Sequence, residues 1–187
     1  MGKFFTEINE HHQAFIEKQH LFFVSTAPLS AEGHINLSPK GLDSFRVLGP
    51  NEVGYMDLVS KGNETAAHAL ENGRITFMFC SFDAVPNILR LYGKAWAVLR
   101  DDPEWEALSS QFTIYPSTRQ IIKATIFKIQ TSCGFGVPQY EYSGERNLHF
   151  EWAEKKGTDG LQNYVMENNL ISIDGLPTKF AGRVNPF

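Results

Sequence analysis

Lys40, Lys61 and Arg90 are the cations in this chain whose surroundings could hold an anion, with Ser38, Ser60, Asn63 and Thr65 as small donors beside them. Lys40 sits in Ser38-Pro39-Lys40-Gly41, a glycine-bearing turn at the end of a strand. Lys61 sits in Ser60-Lys61-Gly62-Asn63, a polar turn that opens a short helix running to Asn72. A dianionic phosphate needs donors converging from several groups, and a helix start with its outward N–H groups supplies some of them. Between the two turns lies a strand, Val53-Gly54-Tyr55-Met56-Asp57, and Arg90 stands on another strand among apolar and aromatic neighbours. The same residues also fit a plainer account. In it Asn63 is a helix cap, Lys40 and Lys61 are solvated turn charges, and Arg90 is in a salt bridge. Glu64 counts against an anion site unless its carboxylate turns away.

Other chemistries find less support. There is no Gly-x-Ser-x-Gly elbow for a serine hydrolase, and His34, His68 and His149 have no partner at metal-ligand spacing. Gly134-Phe135-Gly136 ends a strand instead of opening a helix, so it is not a dinucleotide loop, and no Walker loop occurs. Cys133 reads as a buried or cofactor-facing thiol, because nothing near it in sequence would lower its pKa.

The chain has 187 residues, enough for one domain with a sizeable core. Hydrophobic residues make up 42% and charged residues 20%, with 15 Phe, which points to a folded, β-rich core. Net charge is −4 and there is no Lys/Arg run, so a nucleic-acid surface is not expected. No apolar run reaches the length of a membrane span. Cys80 and Cys133 lie in apolar strands and read as reduced, buried thiols in a cytoplasmic protein. The loose myristoylation pattern at Gly2 and the Asn-x-Ser/Thr triplets at Asn36 and Asn63 are read as chance matches.

These residues need a frame. A helix is expected over residues 7–19, with His11 and His12 on its surface. Strands are expected over 20–27, 35–38, 53–58, 74–81, 87–99 and 121–135, with a short one near Arg46-Val47. Along 87–99, Leu89, Leu91, Gly93, Ala95, Ala97 and Leu99 share one face, and Gly93 marks a bend or close backbone approach. Along 121–135, Phe127, Ile129, Thr131 and Cys133 share a face. Helices are expected from Asn63 to Asn72, after Pro103, and over 159–167. The last 20 residues, ending Asn185-Pro186-Phe187, read as an extended arm. Strands that neighbour one another in sequence point to an antiparallel barrel with peripheral helices.

The order FFVSTA, INLSPKG, VGYMDLVSKGNET, ALENGRITFMF, LRLYGKAWAVL resembles the pyridoxamine 5′-phosphate oxidase-like, FMN-binding split-barrel family over roughly residues 10–135. The most specific parts are Ser38-Pro39-Lys40-Gly41, Leu70-x-Asn72 running into an apolar strand, and Arg90-x-x-Gly93. The resemblance implies a mainly β (α+β), six-stranded antiparallel split barrel, one domain over 1–187 with its core at 10–135 and a subgroup extension at 136–187. It implies a homodimer with FMN at the subunit interface, and hydride or electron transfer through flavin N5 to or from a small-molecule substrate. The phosphate would be held by residues matching Ser38, Pro39, Lys40 and Gly41, and Ser60, Lys61, Asn63 and Thr65. Tyr55, Met56 and Asp57 would run along the flavin, and Arg90 and Cys133 would reach it from the partner chain. Where true oxidases carry an Arg-Lys pair before the helix, this chain has Asn63-Glu64-Thr65, and Ile88 replaces a glutamine. These departures argue against pyridoxamine phosphate as the substrate. They leave open a non-catalytic flavin- or haem-binding carrier or sensor on the same fold, and an empty barrel serving as an interaction domain.

Overall fold

A single 15-residue strand carries the architecture. In the computed structural model, which describes residues 2–184, the elements run in order β1 (Lys3–Phe5), α1 (Glu10–Glu17), β2 (Phe22–Thr26), β3 (Asn36–Lys40), β4 (Phe45–Gly49), β5 (Glu52–Leu58), α2 (Glu64–Glu71), β6 (Arg74–Cys80), β7 (Ile88–Val98), α3 (Trp105–Ser109), β8 (Thr118–Ser132) and α4 (Leu148–Asn168). The Asn185-Pro186-Phe187 ending of the expected arm lies outside the described residues. The sheet order is β3-β2-β6-β7-β8-β5-β4, every pairing antiparallel. β8 is long because it serves several partners. One edge pairs with β7, while the other takes β5 over its first half and β1 at Ile129–Thr131.

The sheet has eight strands where six were expected, the additions including β1, which pairs only with β8. Its three residues carry no period-2 pattern long enough to read. The two ends of the sheet, β3 and β4, are consecutive in sequence yet do not pair, so the barrel is split between them. Pro39 sits on the β3 edge, where a missing N–H costs the ladder least.

Alternation on β7 is as expected. Leu89, Leu91, Gly93, Ala95 and Ala97 are all buried. They join Phe22, Val24, Val53, Tyr55, Phe77, Phe79, Ile122 and Ile126 in the barrel interior. A Cβ at Gly93 would stand 2.5 Å from the Thr125 carbonyl oxygen, the close backbone approach the glycine signals. The register shifts at this point, with Tyr92 opposite Lys128 and Gly93 opposite Ile126. Phe127 is therefore the extra residue of a β-bulge and is exposed, while Ile126 and Ile129 are both buried. The expected shared face of Phe127 and Ile129 is wrong for this reason.

The C-terminal part is not an extended arm. α4 starts at Leu148, well before the expected 159, and breaks at Gly157, whose φ is 65°. Ala153, Leu161 and Val165 of α4 pack with Phe180 onto Val59 and Leu99 at one end of the barrel. Burying three side chains the size of Leu161, Val165 and Phe180 contributes roughly 1.5–3 kcal/mol each, enough to hold the segment against the sheet. A third cluster joins Leu108 of α3 and Phe112 to Met56, Val98 and Ile121 on the outer face of the barrel. Two smaller expectations also fail. His12 is buried, because its side chain and that of Asn9 form a reciprocal cap at the α1 start. Cys133 is exposed just past the end of β8, whereas Cys80 is buried as expected.

Candidate functional site

An acid in an otherwise apolar strand must find cations when the strand is buried. Asp57 is that acid, its side chain 2% exposed. Lys40 Nζ lies 2.8 Å from its Oδ1, and Arg119 Nε lies 2.7 Å from its Oδ2. Gln120 Nε2 donates to the same Oδ2 at 2.8 Å. A bulge makes this convergence possible. Asp57 faces Gln120 and Leu58 faces Thr118, so Arg119 is the extra residue, and both Arg119 and Gln120 reach Asp57. Burial pulls the Asp57 carboxyl up, but Arg119 and Lys40 outweigh it and hold it well below the ordinary carboxylate range.

The turn after β5 is fastened from beneath. Arg119 Nη1 donates to the carbonyl oxygens of Ser60 (3.4 Å) and Gly62 (2.8 Å). The fully buried Asn169, just past α4, donates through Nδ2 to the same two oxygens at 2.9 and 3.1 Å. Asn63 does not cap α2 with its side chain. Its Oδ1 accepts from Gln120 and its Nδ2 donates to the Asn169 carbonyl, so tertiary bonds replace the expected cap. Glu64 folds back, accepting from the N–H groups of Asn63 and Ile173.

The third wall is the split edge. On β3, Asn36, Ser38 and Lys40 share one face by period 2, while Leu37 and Pro39 are exposed on the other. Asn36 Nδ2 bonds Thr26 and Thr65, its Oδ1 accepts from Ser38, and Thr26 Oγ1 lies 2.9 Å from Nδ1 of the buried His68. Burial lowers the His68 pKa. The three walls enclose a polar cavity of about 120 Å³ whose lining includes Ser38, Lys40, Asp57, Ser60, Lys61, Gly62, Asn63, Glu64, Thr65 and Arg119. That is space for several waters and room for a phosphate-sized group. Three cations and two carboxylates line it, so positive charge is in excess.

Seven expected residues therefore meet at one cavity: Ser38, Lys40, Asp57, Ser60, Lys61, Asn63 and Thr65. The other six do not line it. Pro39 faces outward, and Gly41 borders a larger cavity beside α1. Tyr55 is buried in the barrel interior and Met56 faces the α3 side. Arg90 bonds Ser132 at the far end of β8. Cys133 lies 14 residues beyond Arg119 along the same chain, roughly 45 Å of strand contour. Arg119, Gln120, Asn36 and Asn169 were missed. The lone acid in Val53–Leu58 was the available signal for a buried cation, though not for which one.

A family model described as pyridoxamine 5′-phosphate oxidase matches residues 8–133. The pyridoxamine 5′-phosphate oxidase family protein ustO of Aspergillus flavus is 37% identical over 196 residues, covering 95% of this chain and 78% of that protein. HupZ of Group A Streptococcus is similar in structure with a TM-score of 0.52 at 20% identity, over 65% of this chain and 91% of that one. The FAD binding protein from Mycobacterium smegmatis gives a TM-score of 0.50 at 16% identity, over 68% and 97% of the two chains. At these identities the structural likenesses are of fold.

Proposed function

This chain belongs to the pyridoxamine 5′-phosphate oxidase family, and from that premise we propose that it is an FMN-dependent oxidoreductase whose polar cavity takes the flavin phosphate. The observation that carries this reading is the pair of cations, Lys40 and Arg119, held on one buried carboxylate, Asp57, at the wall of a phosphate-sized cavity. Asp57 neutralises one of the two charges and fixes both in place. Lys40 retains donor capacity beyond its one bond to Asp57, and Ser60 and Thr65 add hydroxyls. The start of α2, without a side-chain cap from Asn63, adds N–H groups and the positive end of the helix. Bound FMN would supply hydride or electron transfer through its N5. The protein's part is to anchor the phosphate and keep the barrel wall dry; it offers no general base here, because Asp57 is locked between cations. That lock also favours a second reading, a flavin-binding carrier or sensor without turnover.

The test is a titration with FMN followed by visible absorption. The wild-type protein should take up FMN, and Lys40→Ala should weaken uptake by about tenfold to a hundredfold, the worth of a bond to a charged group. Equal affinity would remove Lys40 from the site. Steady-state oxidation of NAD(P)H by the loaded protein separates turnover from carriage, and a protein that takes up no FMN rejects both.

A further inference from the structure

Glu64 carries a negative charge in the lining of a cavity otherwise suited to an anion. An acid in the first turn of a helix ordinarily faces solvent and interacts with the helix dipole. Here the carboxylate is turned back over the turn that precedes the helix. Its Oε2 accepts from the Asn63 N–H at 2.7 Å, and its Oε1 accepts from the Ile173 N–H at 3.1 Å. A Cβ placed on Gly62, whose φ is 75°, would lie 2.9 Å from Oε2, so the carboxylate sits directly against the Gly62 backbone.

The direction of the peptides explains why an anion is held there. A trans peptide sends its C=O and the following N–H in opposite directions. Arg119 and Asn169 draw the Ser60 and Gly62 carbonyls to one side. The N–H groups of Lys61 and Asn63 must then point to the other side, and the Asn63 N–H does point at Glu64. N–H groups gathered on one side of a turn form a concavity that binds anions.

We propose that the Glu64 carboxylate is an internal stand-in for the phosphate, seated on the Asn63 N–H and displaced when a phosphate group enters. Its second bond ties this exchange to the C-terminal segment. Ile173 belongs to a small turn in which Ser172 accepts from Gly175 and Ile171 bridges Pro177. Asp174 of the same turn pairs with His34 at the β2–β3 connection. When Glu64 leaves, the Ile173 N–H loses its acceptor, so cofactor entry is coupled to loosening of residues 171–175. Glu64 therefore sets the affinity of the site: an incoming anion must displace one already bound there.

This inference rests on the phosphate reading of the cavity, and two probes keep their failures apart. Glu64→Gln retains a side-chain oxygen as acceptor but loses the charge. It should bind FMN about tenfold more tightly than wild type, with an unchanged far-UV dichroism spectrum. In the wild-type protein, saturating inorganic phosphate should speed amide hydrogen exchange at Ile173. Equal or weaker FMN affinity in Glu64→Gln, or unaltered Ile173 exchange in phosphate, overturns the stand-in. If neither protein takes up FMN while phosphate still speeds exchange at Ile173, the flavin reading falls and the stand-in stands. If neither FMN nor phosphate binds, both fall.

Discussion

Asp57 concentrates the electrostatics of the site in one side chain. Its depressed pKa means that the folded state binds fewer protons than the unfolded chain at acid pH. The stability it confers is fully present above the unfolded carboxylate value, near 4, and is lost as pH falls below that. Asp57→Asn leaves Lys40 and Arg119 without their buried counter-charge, and should cost about 3–5 kcal/mol at neutral pH. It should also flatten the decline in stability between about pH 4 and pH 2. Urea unfolding of both proteins from pH 7 downward measures the two effects, and parallel acid limbs would show that another group carries the loss. At this scale much of the site was legible. Ser38, Lys40, Ser60, Lys61, Asn63 and Thr65 were visible as donors, although Ser38 and Lys40 stand on strand β3, which runs through to Lys40, and not in the expected turn. Arg119 was not visible, because the Thr118-Arg119-Gln120 stretch lies before the strand expected from 121, and only the bulge in the longer β8 aims it at Asp57. Asn63 was visible with the wrong partner: propensity makes it a cap, and the tertiary bonds to Gln120 and Asn169 override that preference.

Among the elements, β7 and β8 meet closely at Gly93. Their register shift beside Gly93 brings the Thr125 carbonyl within 2.5 Å of where a Cβ would stand. Backbone cannot yield as a flexible side chain can. Gly93→Ala should therefore destabilise the protein by roughly 1–3 kcal/mol, as overpacking does, and thermal unfolding would read this as a lower Tm. An unchanged Tm would mean that the bulge relaxes freely. The glycine was legible as a close approach, because a lone Gly in an apolar strand has few other uses. The bulge itself was not, since adding one residue to β8 leaves the apolar count unaltered and changes only which of Ile126, Phe127 and Ile129 face inward. α4 was half legible for a similar reason. Residues 139–157 are polar and aromatic, and the break at Gly157 interrupts the helical period, so only the second half shows a stripe.

For the whole molecule, the separation of the expected site residues is the informative feature. Lys40, Ser60 and Thr65 meet at one cavity, while Arg90 and Cys133 lie at the other end of β8. The family resemblance expects Arg90 and Cys133 to reach the flavin from a partner chain. The split edge offers a matching surface: Ile35, Leu37, Ile171 and Ile173 are large apolar residues more than half exposed, on segments that flank the cavity. A two-fold dimer would cover such a surface. Light scattering at low micromolar concentration should give twice the mass of the chain, and a monomeric mass would reject a two-chain flavin site. The described residues contain no helix long and apolar enough to cross a membrane.

By itself the sequence determined the β-rich antiparallel class, nearly every strand after β1, and the two polar segments that line one cavity. Period-2 alternation, glycine placement and polar clustering are local properties, and they survive folding except where a bulge such as that at Phe127 shifts the faces. The tertiary structure decided what depends on residues far apart in the chain. It turned Arg119 onto Asp57 through one bulged residue. It brought Asn169 under the Ser60–Asn63 turn, and it set the Glu64 carboxylate on the Asn63 N–H with Ile173 as its second donor. These contacts join positions 57 with 119, 60 with 169, and 64 with 173. No local pattern encodes such pairings. They follow from burial, which forces each charge and each amide to find a partner wherever the packed chain supplies one.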